Sequence, residues 1–207
     1  PQEFVGDEAH RGDMVWSAAV PEELRSRATA VIGNFPVSQA SQYTRLEWLQ
    51  TFSAGVDAYI CPGVLPRGTM VTNASGAYGQ SVSEHMFATM WALMKNLNRY
   101  ASNQRDHQWQ DEGPVLSPEG GIALIIGVGD IGSHFAQLAQ SVGMRTFGVR
   151  RHADVPAKGI EKMYGFERLE ALLPLADVVA MAVPRSPQTH HLLNADRLGR
   201  LKSTAIV

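Results

Sequence analysis

Six residues, Gly127-Val128-Gly129-Asp130-Ile131-Gly132, carry the strongest chemical signal in the chain, because they directly follow the apolar run Ile122-Ala123-Leu124-Ile125-Ile126. A buried strand feeding a G-x-G-x-x-G turn, with an apolar-periodic segment behind it, is the setting a dinucleotide site requires. The first glycine permits a tight turn and the second admits a pyrophosphate against the backbone. The third lets helix and strand pack closely, with the helix N-terminus facing the phosphates. The spacing therefore predicts cofactor-binding positions at Gly127, Gly129, Asp130, Ile131 and Gly132.

The end of the next strand selects between cofactors. An NAD site usually places a carboxylate there, roughly 20 residues beyond the glycines, for the ribose 2′-hydroxyl. This chain has Arg150-Arg151-His152 instead, with no carboxylate before Asp154. Two guanidiniums match the charge and geometry of a 2′-phosphate, so Arg150 and Arg151 predict NADP, with NAD as the alternative if both are merely solvated.

The elements that must position these groups follow from periodicity. Short strands are expected at Ala28–Ile32, at Leu46–Phe52 with Leu46, Trp48 and Phe52 on one side, and at Met70–Asn73. Ser81 and Glu84 have the spacing of a capping box. Behind them Val82, Met86, Met90, Leu93, Met94, Leu97 and Ala101 form one stripe, predicting a continuous helix over 81–101. Residues 102–120 are polar and bear Pro and Gly, which predicts a loop anchored by Trp109. From residue 121 strands and helices alternate. Strands are expected at Ile122–Ile126, Arg145–Val149 and Asp177–Val183, with a last one beginning at 204. Helices are expected from Ile131 to Gly143, around Leu169–Leu173 and at Ala195–Leu201. This alternation predicts a parallel sheet with helices on both faces.

Bulk properties narrow the class. The chain has 207 residues, 44% of them hydrophobic, and a net charge of −2. That balance gives no electrostatic basis for binding nucleic acid or an anionic membrane. The single Cys61 cannot form an internal disulfide, which fits a reducing cytoplasm, and is expected to be a buried or half-buried thiol. No run reaches the roughly 18 consecutive apolar residues of a membrane helix. The Asn73-Ala74-Ser75 sequon is read as chance. Pro1 at one end, and an apolar run broken off at Val207 at the other, suggest a piece of a longer protein.

Four segments together resemble the D-isomer-specific 2-hydroxyacid dehydrogenases. Leu46 through Asp57 is similar to the family's substrate loop, and Val71 through His85 to its domain-crossing segment. The 127–132 turn is similar to its glycine turn, and Val183-Pro184-Arg185-Ser186-Pro187-Gln188-Thr189 to its loop at the nicotinamide. The resemblance implies a Rossmann-type doubly wound parallel sheet plus a flavodoxin-like α/β substrate domain, both incomplete here. Residues 1–77 would belong to the substrate domain and 78–207 to the cofactor domain, with the 81–101 helix crossing between them.

It also implies hydride transfer between NAD(P) and a small 2-keto or 2-hydroxy acid, in a homodimer. By resemblance, backbone amides at Ala54 and Gly55 hold the substrate carboxylate, a role small residues at a sharp turn can fill as an anion nest. Val82, Val183, Pro184 and Thr189 would border the nicotinamide. Tyr78, and the Asn34-Phe35-Pro36 loop, are further candidates near the substrate. The family's catalytic arginine, glutamate and histidine would fall beyond Val207, so no catalytic residue is assigned within 1–207 and this stretch alone is expected to be inactive. None of the seven histidines substitutes for the missing acid–base group. Two other readings share the cofactor features: a nucleotide-sensing, non-catalytic protein or truncated subunit on the same fold, and a family enzyme acting on phosphite or formate.

Overall fold

The computed structural model describes residues 20–207; Pro1, and His10 among the seven histidines, lie outside them. The chain divides into two units, the first ending at Ser75 and the second running from Gly76 to Val207, two residues before the boundary expected from the sequence.

In the first unit a short helix α1 (Glu22–Arg25) precedes strands β1 (Ala30–Ile32), β2 (Trp48–Gln50) and β3 (Met70–Thr72). The three pair in parallel in the order β1-β2-β3, placing Val31, Leu49 and Val71 in register. Val31 and Leu49 are buried with Phe35, Ala40, Tyr43, Leu46 and Tyr59. The inward residue of β2 is thus Leu49, and not Trp48 as the alternation suggested. Trp48 faces the other way and donates from Nε1 to Thr72 Oγ1 at 2.8 Å, and Phe52 is exposed. A three-residue strand is too short for period-two patterning to fix its faces.

The second unit holds helices α2 (Gly79–Met94) and α3 (Leu97–Arg105), then β4 (Ile122–Ile126), α4 (Asp130–Ser141), β5 (Arg145–Val149), β6 (Lys162–Tyr164), α5 (Leu169–Leu172), β7 (Val178–Met181) and α6 (Ala195–Gly199). Its four parallel strands run in the order β6-β5-β4-β7. Successive residues of β4 feed opposite cores, as strand geometry demands. Ala123 and Ile125 pack with Met90, Met94, Phe135, Ala136 and Ala139, whereas Leu124 and Ile126 pack with Phe147, Val149, Leu169, Leu172 and Val179. This is the Rossmann arrangement, and the strand order reverses at β4.

Four expectations about this unit are corrected. The helix expected over 81–101 begins at Gly79 and breaks at Asn96, which adopts a left-handed conformation (φ 54°) before α3. Asparagine tolerates that region, and its Nδ2 donates to the carbonyls of Glu112 and Pro114. Beyond the break Leu97 is exposed, so the apolar stripe outlasts the buried face. The capping box is also not formed: Tyr78 occupies the N-cap position, and Glu84 instead accepts from Gln80 at 2.9 Å. Trp109, expected to anchor the 102–120 loop, is fully exposed. The strand expected from 204 is reduced to one bridge, between Ile206 and Val178.

Candidate functional site

The carboxyl ends of β4, β5 and β7 converge around the glycine turn, at the point where strand order reverses and where open α/β sheets hold their ligands. Gly127 N donates to Val149 O at 2.9 Å, and Ala182 N to Ile126 O at 2.8 Å. Gly127 has φ 94°, and a side chain there would run into the carbonyl of Ala182. A side chain on Gly132 would strike the carbonyl of Gly127, so this glycine is what lets α4 start against the turn. Gly129 differs: it is the N-cap of α4, is exposed, and has open space where a side chain would be.

The backbone N–H groups of Gly129, Asp130, Ile131 and Gly132 find no acceptor among the described residues, and no side chain caps the helix. An uncapped helix start with open space above a glycine fits a pyrophosphate, whose charge the first-turn amides and the helix dipole favour. Asp130 directs its carboxylate over Gly79 at the start of α2, 3.3 Å from His134 Nδ1.

The two arginines after β5 differ in their surroundings. Arg150 is half-buried and spans three backbone carbonyls, those of His152, Val128 and Val155. Arg151 is exposed and has no bond to any described residue. The structure therefore separates a pair that the sequence treated as equivalent.

In the loop after β7, Val183 is packed against the core around Leu124 and Val179 and Pro184 is exposed. Thr189 turns its hydroxyl inward, donating to Pro184 O at 2.6 Å and accepting from Ser186 N at 2.9 Å. It shapes the loop, and its side chain does not extend from it. The rings of His190 and His191 lie 3.8 Å apart on the exposed side of this loop. On α2, Val82 is exposed, and Tyr78 is exposed at the helix start.

In the first unit, Ala54 and Gly55 lie exposed on the loop after β2. Their amides and that of Ser53 find no acceptor among the described residues. Sequence reasoning grouped Asn34, Phe35 and Pro36 as a specificity loop, but Phe35 is a core residue stacked on Tyr43 at 4.3 Å. Tyr59 holds Phe35 there by accepting from its N at 3.0 Å and donating to its O at 2.5 Å. Cys61, expected to be at least half-buried, is exposed. The bonding of Asn34, Ser53 and Asn73 to the 53–56 loop was not foreseen. The only hint was an asparagine at or just past the end of each of two expected strands.

The sequence model of the family described as "D-isomer specific 2-hydroxyacid dehydrogenase, NAD binding domain" matches residues 87–207, more than half of the chain. The chain belongs to this family. Among curated relatives it is 25% identical over 197 residues to the glycerate dehydrogenase of Methylorubrum extorquens, covering 91% of this chain and 60% of that protein. It is 27% identical over 173 residues to the glyoxylate reductase of Pyrococcus horikoshii, covering 79% of this chain and 51% of that one. Among solved structures, a D-isomer specific 2-hydroxyacid dehydrogenase family protein from Aeromonas salmonicida superposes with a TM-score of 0.79 at 30% identity, covering 89% of this chain and 59% of its own. The chain thus spans between about half and three fifths of the length of these relatives. Within the family, the glycine turn and both arginines lie in the part that matches the NAD-binding domain.

Proposed function

We propose that the whole protein is a cytoplasmic, homodimeric oxidoreductase that reduces a small 2-keto acid, such as glyoxylate or hydroxypyruvate, with NADPH in preference to NADH. The observation that carries this reading is the pairing of two anion-receptive backbones in one family member. One is the uncapped start of α4 over Gly129; the other is the 53–55 loop, whose amides find no acceptor among the described residues.

Each part of the reading assigns work to particular residues. Gly129, Asp130, Ile131 and Gly132 hold the pyrophosphate through their amides, and Gly127 keeps the turn tight enough for them to do so. Arg151, exposed and unbonded, reads the 2′-phosphate, while Arg150 braces the turn. Val82, Val183 and Pro184 border the nicotinamide, and Thr189 fixes the loop bearing Pro184. Ala54 and Gly55 hold the substrate carboxylate, and Tyr78 is a further candidate for substrate contact. When bound, the nicotinamide supplies or accepts the hydride. The polarising arginine and the acid–base histidine of the family are assigned outside residues 1–207. Among the described residues no helix is long and apolar enough to cross a membrane. Exposed Leu93 on α2 supports association through the second unit.

The reading is tested by titrating the whole protein with NADPH and NADH, then following NADPH oxidation at 340 nm with a panel of 2-keto acids. Tighter NADPH binding with saturable turnover of a small 2-keto acid is expected. Binding of neither nucleotide would exclude the reading.

A further inference from the structure

The carbonyls of residues 53–56 are all bonded, while the amides of Ser53, Ala54 and Gly55 find no acceptor among the described residues. Ser53 O accepts from Thr51 Oγ1 at 2.7 Å and from Ala74 N at 3.2 Å. Ala54 O accepts from Asn73 Nδ2 at 2.8 Å, and Gly55 O from Ser53 Oγ at 2.8 Å. Val56 O accepts from Tyr59 N at 2.9 Å and Ile60 N at 3.2 Å. A peptide whose carbonyl is held on one side presents its N–H on the other, so this bonding turns the amides of Ala54 and Gly55 outward together.

The donors come from both neighbouring strands. Asn34 follows β1 by two residues and Asn73 directly follows β3, and these strands flank β2 in the sheet. The loop is therefore held from each side by one asparagine.

The bonding at Asn34 also has a fixed direction. Phe52 N can only donate, and its partner at 2.9 Å is Asn34 Oδ1, which leaves Asn34 Nδ2 to donate to Ser53 Oγ at 3.0 Å. Ser53 thereby receives one proton and must point its own at Gly55 O. The chain runs Phe52 to Asn34 to Ser53 to Gly55 with every donor in one sense. An aspartate at 34 would keep the acceptor and lose the donor. The Ser53 hydroxyl would then turn back to the carboxylate and release Gly55 O, beside a new negative charge.

We propose that Asn34, Ser53 and Asn73 are positioning residues that hold the Ala54 and Gly55 amides in the geometry that receives a carboxylate. This rests on the reading of the 53–55 loop as the substrate carboxylate site. Neither asparagine touches the reacting atoms; both act through the loop, so their removal weakens anion binding and leaves cofactor binding alone.

The test uses the whole protein, wild type and the variants Asn34→Asp, Ser53→Ala and Asn73→Ala. Measured for each are KM and kcat for the best 2-keto acid at saturating NADPH, the inhibition constant of oxamate, the rise in Tm caused by oxalate, and the Kd of NADPH. Each variant should raise KM and the oxamate constant about tenfold, as loss of one bond to a charged ligand's receptor implies. The oxalate shift in Tm should shrink, kcat should stay within about threefold and the NADPH Kd within about twofold. Asn34→Asp should be the most impaired of the three. Should Asn34→Asp fail to fold, Ser53→Ala and Asn73→Ala decide, since neither half-buried Ser53 nor exposed Asn73 belongs to the buried core. Unchanged KM and oxamate constants in folded Ser53→Ala and Asn73→Ala overturn the proposal, as does a fall in kcat at unchanged KM. A wild type that turns over no 2-keto acid and shows no oxalate shift overturns the parent reading instead.

Discussion

Arg150 donates from Nη1 to the carbonyl of Val128, 3.4 Å away, tying the end of β5 to the residue between the first two glycines of the turn. Its remaining bonds, to the carbonyls of His152 and Val155, engage its other two nitrogens, so each nitrogen of the guanidinium already holds a backbone carbonyl. Arg151, one residue on, is exposed. Arg151→Ala should therefore weaken NADPH about tenfold or more and leave NADH almost unchanged, the usual scale for a lost charge-assisted bond. Arg150→Ala should lower Tm and weaken both nucleotides alike. Fluorescence titrations of the two variants separate these roles, and selective loss of NADPH in Arg150→Ala alone would reverse the assignment.

The three glycines should respond differently to alanine. Gly132→Ala places a methyl against the carbonyl of Gly127, and Gly127→Ala places one against Ala182 O at a backbone angle (φ 94°) that alanine resists. Both should destabilise the second unit by about 1–3 kcal/mol, the range for strained backbone and overpacking. Gly129→Ala meets open space, so its Tm should hold while nucleotide affinity falls. Thermal unfolding beside nucleotide titration gives the comparison, and unchanged affinity in Gly129→Ala would argue that no phosphate approaches there.

Alkaline pH should weaken the first unit. Burial pushes the phenols of Tyr43 and Tyr59 above their ordinary value, against a smaller lowering at Tyr43 from the Arg25 charge and at Tyr59 from its bond to Phe35. A raised folded pKa means that the folded state keeps its proton where the unfolded chain has lost it. The contribution is complete below the unfolded value near 10 and declines as pH rises through the higher folded values. Tyr59→Phe should be less stable at neutral pH, because it leaves Phe35 N and O unbonded, and should show a shallower decline above pH 10. Urea unfolding followed across pH 8–11 measures both, and a decline as steep as wild type would remove Tyr59 from the account.

Association is checked on α2. Leu93 is exposed, so Leu93→Asp should leave Tm of a monomer unaffected and halve the mass found by light scattering if the second unit forms the dimer contact. Retention of a dimer in that variant places the contact elsewhere.

The second unit was largely legible in the sequence because its signals are local. Ile122–Ile126 is apolar throughout, as a strand buried on both faces must be, and the steric reason for Gly132, the carbonyl of Gly127, lies within a few residues. The failures lie where a local pattern continued past a tertiary event. Leu97 and Ala101 extend the Met90–Met94 stripe, but Asn96 turns the backbone between them and the helix ends. Lys162–Tyr164, an edge strand of three residues, has no periodicity long enough to read. The candidate site shows the same division. Arg150 and Arg151 look alike in sequence, and only the carbonyls around Arg150 tell them apart. Asn34 and Asn73 meet at the 53–56 loop because β1 and β3 flank β2, a fact of sheet order that spacing along the chain does not contain.

Steady-state oxidation of NADPH by the whole purified protein with glyoxylate and hydroxypyruvate decides whether the protein is a 2-keto acid reductase. Saturable turnover is expected, with kcat/KM for NADPH about tenfold or more above that for NADH. A protein that binds NADPH and oxidises it with no 2-keto acid would contradict the account, and would leave a nucleotide-binding protein on a dehydrogenase fold.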